Sequence, residues 1–177
     1  MKYKTQAMVA ALSMVLMLQP VAANEQQAQI ALAQSGAHSG LSQHATIIGF
    51  DGKVLKTGTS QWTCMPGIPL RPGDTHPMCN DPVWNKVLQA AKSGEGFTLD
   101  RIGISYMLQG DAHVSNSSPS AKDPNNGDVW VQEGPHIMVI VPKELLKGVS
   151  DDPFNGGPYV MWKDTPFAHI MIPVPKP

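Results

Sequence analysis

Fourteen residues separate Cys64 from Cys79, and among them stand Pro66, Gly67, Pro69, Pro72, Gly73 and Pro77. No continuous helix or central strand can run through such a segment, because each proline fixes φ and lacks the amide hydrogen that a helical turn or a sheet ladder uses. An even, closely spaced cysteine pair reads as a disulfide wherever the compartment is oxidising. Closing a loop of about 15 residues stabilises a fold by roughly 3 kcal/mol in the chain-entropy picture. The compact Cys-x-x-Cys arrangement of redox-active pairs is missing. Sixteen prolines and sixteen glycines in 177 residues extend the same punctuation along the chain. Short elements joined by rigid turns are expected, not a helical bundle.

The N-terminus supplies the compartment. Lys2 and Lys4 are followed by an uncharged apolar run, Ala7 to Leu18, and by Val21-Ala22-Ala23, whose small residues suit a signal-peptidase site. The run falls short of the roughly 20 apolar residues that span a bilayer, so residues 1–23 read as a cleaved secretory signal. The mature chain, beginning near Asn24, is expected in the periplasm or outside the cell, with no membrane span. Removing the two lysines of the signal leaves 11 basic against 14 acidic residues. With no basic cluster, nucleic acid is not an expected partner. A small molecule or an envelope protein is.

Residues 24–44, rich in Gln, Ala, Ser and His, read as a flexible leader with a frayed helix near 26–34. A single globular domain is expected over 45–177. Ala45–Phe50 and Lys53–Thr57 flank Asp51-Gly52, the signature of a hairpin with a two-residue type I′ turn. Asp81 as N-cap, Pro82 at the first position and Gly94 beyond the end bracket one principal helix over about 82–93, with Trp84, Val87, Leu88 and Ala91 at helical spacing. Phe97–Leu108 reads as a long strand, 110–128 as a polar loop, and Val129–Gln132, His136–Val141, Tyr159–Lys163 and Phe167–Val174 as further strands. Strands, one helix, then mostly strands is the pattern of an α+β fold on a mainly antiparallel sheet.

Two heptads near the C-terminus are almost the same. Residues 136–142 are His-Ile-Met-Val-Ile-Val-Pro and residues 169–175 are His-Ile-Met-Ile-Pro-Val-Pro. In a strand, His136 shares a face with Met138, and His169 with Met171. If the strands are neighbours, two imidazoles and two thioethers converge, a donor set that suits copper, above all Cu(I). Methionine is also an ordinary core filler, and a histidine can simply close a strand end. No cofactor other than copper is suggested. Asp111 and His113 follow a strand end, and with His136 and His169 they are candidates for an acid–base group in a periplasmic hydrolase. No Gly-x-Ser-x-Gly, His-Glu-x-x-His, Ser-x-x-Lys or phosphate-loop motif accompanies them. Binding or structural service therefore ranks ahead of catalysis.

Trp62-Thr63-Cys64-Met65-Pro66, Pro77-Met78-Cys79, Tyr106-Met107-Leu108-Gln109-Gly110-Asp111, Gly134-Pro135-His136-Ile137-Met138 and Gly156-Gly157-Pro158-Tyr159-Val160-Met161-Trp162, running on to Ala168-His169-Ile170-Met171, together resemble a group of small secreted bacterial proteins described only as uncharacterised. The resemblance covers residues 46–174 and implies a bacterial, exported, single-domain protein. It transfers no activity and no site residue.

Overall fold

The computed structural model describes residues 23–175; the expected signal lies almost wholly outside them. The fold is α+β. Helix α1 covers residues 23–34 and α2 covers Ser39–Ser42. Strands β1 (Thr46–Ile48), β2 (Val54–Lys56), β3 (Thr63–Met65) and β4 (Met78–Asn80) precede helix α3 (Pro82–Ser93). Strands β5 (Gly103–Met107), β6 (Val114–Ser115), β7 (Trp130–Val131), β8 (His136–Ile140), β9 (Tyr159–Met161) and β10 (His169–Pro173) follow, with a 3-10 turn at Lys143–Leu146. Eight strands form one sheet in the order β2-β1-β3-β4-β5-β8-β10-β9, and β6 and β7 form a separate ribbon. The sheet is mixed: β1 and β3 run parallel, and its other neighbours are antiparallel. No described helix is long and apolar enough to cross a membrane.

Cys64 and Cys79 are bonded. They stand directly opposite each other on β3 and β4, so the Pro/Gly segment becomes the long connection of a crosslinked hairpin. Helix α3 starts as its sequence dictates. The Asp81 carboxylate accepts from Trp84 N at 2.7 Å and, with its other oxygen, from Ile104 N at 3.0 Å. One residue thus caps the helix and ties it to β5. Gly94 ends the helix in the left-handed region, at φ 73°.

Three expectations are corrected. The β1–β2 hairpin forms, but its turn is not type I′: of Asp51 and Gly52 only Gly52 has positive φ, and Gly52 N donates to Gly49 O at 3.0 Å. The strand in 97–108 is regular only over Gly103–Met107; Gly103, Ser105 and Met107 are buried on the side that faces α3, and Ile102, before the strand, is exposed. A Cβ on Gly103 would stand 2.8 Å from Ile140 Cγ2 and 2.9 Å from Val83 Cγ1, so close packing of α3 and β8 selects the side without bulk. Residues 24–44 do not form a loose leader. Ala33, Ala37 and Leu41 are buried with Ile47, Cys64 and Cys79, and Gln26 and Gln29 hydrogen-bond Leu55 O and Phe50 N.

The two faces of the sheet are covered differently. α1 and α2 lie over the disulfide, Trp62 and Tyr106 on one face. Val141, Leu146, Val160 and Ala168 form a smaller cluster at the far end. The opposite face carries the main core, where Trp84 and Val87 of α3 and Val114 and Val131 of the ribbon pack on the sheet.

Candidate functional site

Alternation along the strands places six methionines on that main-core face: Met65, Met78, Met107, Met138, Met161 and Met171, all buried. The register explains the grouping. Met78 pairs with Met65, Met107 with His136, Met138 with Met171, and Met161 with His169. His136 and His169 therefore share one face, as the twin heptads imply, and β8 and β10 are antiparallel neighbours.

Between this face and its cover lies a cavity of about 750 Å³. Met78, Met138 and His169 contribute to its floor, Trp84 and Leu88 of α3 to one wall, and residues 111–122 to its roof. The roof is the long polar segment, held by its own hydrogen bonds. Ser115 Oγ donates to Asp128 Oδ2 at 2.7 Å and accepts from the amides of Ser117 and Ser118; Trp130 Nε1 donates to Asn126 Oδ1. Trp162 then clamps the segment to the sheet, its Nε1 donating to Ser115 O at 2.9 Å and its amide to Asn116 O at 2.8 Å. Trp162 adopts φ 54°, the sole described non-glycine in the left-handed region.

Both histidines are held alike. His136 Nδ1 lies 2.7 Å from Gly134 O, and His169 Nδ1 lies 2.8 Å from Phe167 O. A carbonyl only accepts, so each Nδ1 carries a hydrogen, and in the neutral ring Nε2 presents its lone pair. Each Nε2 is buried with no hydrogen-bond partner among the described residues. Asn80 and Ser105, opposite each other on the same face, are also buried without side-chain partners. Trp84 and Trp162 pack edge-on against His169, with ring centroids 5.3 and 5.1 Å away. Burial pushes His169 down to about 4.

The acid–base candidates are only partly gathered. Asp111 is buried at the cavity edge; its Oδ1 accepts from Ala112 N at 2.7 Å, and Arg71 Nη1 lies 3.4 Å from it. Burial raises its carboxyl above the usual range, against the opposing charge of Arg71. Asp74 and His76 approach it from the disulfide loop, with one donor atom of each within 4.8 Å of the others. His113 instead packs at a tilt against Trp130, with ring centroids 5.4 Å apart, and His169 lies against Trp84 and Trp162. Arg71, Asp74 and His76 join this polar cluster with no sequence signal, since it is the pairing of β3 with β4 and of β4 with β5 that brings their loop to Asp111. Tyr159, fully buried, donates to Glu133 at 2.9 Å; burial and that carboxylate keep its hydroxyl protonated.

Comparison with protein families, with curated proteins and with solved structures finds no match for this chain.

Proposed function

We propose that the protein is exported and binds a small, mainly apolar and preferably aromatic molecule in the cavity between the methionine-rich face and the 111–122 roof. The observation that carries this reading is the cavity itself. Its volume, about 750 Å³, falls in the range of small-molecule sites. Methionine side chains adapt to irregular guests and make favourable sulfur–aromatic contacts. His169 Nε2 and the rim residues Arg71 and Asp111 supply the few polar groups that orient a ligand. Catalysis is the weaker reading, because His113 and His169 are directed to partners other than Asp111.

The probe is 1-N-phenylnaphthylamine, whose fluorescence rises in an apolar site. One saturable equivalent per chain is expected. Ala91→Trp, which adds bulk on the α3 wall lining the cavity, is expected to weaken binding at least tenfold while leaving far-UV circular dichroism unchanged. No saturable binding, or equal binding in the folded variant, overturns the reading.

A further inference from the structure

We propose that the guest of the cavity is a monocarboxylic acid, with its apolar body against the methionine-rich floor and its carboxylate held at the rim by the guanidinium of Arg71. The inference rests on the cavity reading above and adds the charge of the ligand. Charge recognition does not come from the floor. His136 stands opposite Pro173 and His169 is level with Ile140, at opposite ends of the Met138–Met171 pair. The two imidazoles and two thioethers therefore do not gather on one ion, and of the two histidines only His169 lines the cavity. The formally charged side chains of the lining are Arg71, Asp111 and Lys122, two cations against one carboxylate.

Arg71 is the cation placed to hold an anion. Its side chain is only 28% exposed, and a guanidinium withdrawn from water needs a well-made partner. Asp111 answers it loosely. One nitrogen, Nη1, lies 3.4 Å from Asp111 Oδ1, where a bidentate pair sets two parallel bonds at about 2.7–2.9 Å. That same oxygen already accepts from Ala112 N at 2.7 Å. No other side-chain nitrogen of Arg71 bonds a described residue. Burial opposes ionisation of Asp111, which leaves the guanidinium still less compensated. The planar fork of arginine matches a planar carboxylate, and Asp111 steadies the fork from one side. Lys122, exposed on the roof, forms no ion pair with a described residue and adds a second positive charge to the lining. Asp111 also limits the ligand's charge, because a dianionic phosphate beside it meets more repulsion than a single carboxylate does.

Isothermal titration calorimetry of the mature protein at pH 7 tests this with 2-naphthylacetic acid and 2-naphthylacetamide, which share one aromatic body and differ in charge. The acid should bind roughly tenfold tighter than the amide, since a charge-assisted bond takes the place of a neutral one. High salt should shrink the difference. Arg71→Gln should bring the two affinities to within about twofold of each other, and Arg71→Lys, which keeps the charge without the fork, should restore part of the preference. 2-Naphthyl phosphate should bind the wild type more weakly than the acid does. Equal binding of acid and amide by the wild type overturns the inference whether or not the variants fold, and it leaves the cavity reading intact. Tighter binding of the phosphate than of the acid, or an undiminished acid preference in folded Arg71→Gln, overturns it too. Binding of none of these ligands, with none of phenylnaphthylamine, overturns the cavity reading and this inference together.

Discussion

Replacing both cysteines by alanine, Cys64→Ala/Cys79→Ala, should cost about 3 kcal/mol, most of it through the unfolded chain. The 15-residue separation gives that figure from loop-closure entropy alone. Two effects of opposite sign modify it. Both residues are fully buried, so removing the sulfurs leaves a small void and adds to the loss. The four prolines of the loop already restrict the unfolded chain, which reduces the entropy a crosslink can remove. The folded state itself should change little, because Thr63↔Asn80 and Met65↔Met78 hold the register on either side of the bond. Urea titration of the oxidised protein and the double variant at pH 7 provides the measurement. For a domain of this size the loss corresponds to a fall in Tm of about 6–12 °C. The m-value should rise, since an uncrosslinked chain exposes more surface on unfolding. A loss below 1 kcal/mol with an unchanged m-value would refute the unfolded-state account. Reductant without urea should act no faster than residues 23–34 undock from the disulfide; rapid reduction with that helix docked contradicts the burial of the bond.

Acid should weaken the protein through His169. Its folded value of about 4 lies below the ordinary 6.5, so between these the unfolded chain binds a proton that the folded chain refuses. Stability is full above pH 6.5 and falls towards pH 4 by up to about 3 kcal/mol; urea midpoints at pH 7 and pH 4.5 should show this, and His169→Leu should flatten the difference. Asp81→Ala removes a helix cap and a tie to β5 together, so a loss of about 2 kcal/mol is expected, with Asp81→Ser recovering part of it; equal urea midpoints for wild type and Asp81→Ala would contradict that pairing of roles.

Where local chemistry decides, the sequence was readable. Asp81, Pro82 and Gly94 bound α3 because capping and φ preferences act over a few residues, and the twin His-x-Met units fall on one face because strand alternation and antiparallel pairing leave few other outcomes. Elsewhere, distant packing decides. Ile30, Ala33, Ala37 and Leu41 do recur at helical spacing, but alanine carries so little apolar surface that the signal disappears among glutamine and serine. The side of β5 that faces α3 carries Gly103 because the approach of Val83 and Ile140 leaves no room for isoleucine, which no property of residues 97–108 announces. The cavity was invisible for a related reason: its roof is a polar segment whose hydrogen bonds, through Ser115, Asn126, Asp128 and Trp162, are satisfied internally, and loop composition alone does not distinguish that from disorder.

The helix that covers the disulfide also orders events in time. Ala33 is fully buried and its carbonyl oxygen lies 3.7 Å from Cys79 Sγ, so an oxidant can meet these thiols only while residues 23–34 are undocked. The bond must close first and the N-terminal helix settle afterwards, or the helix must leave again. A chain whose N-terminus is held elsewhere keeps that face open and its thiols within reach; release of the N-terminus then seals a crosslink already made.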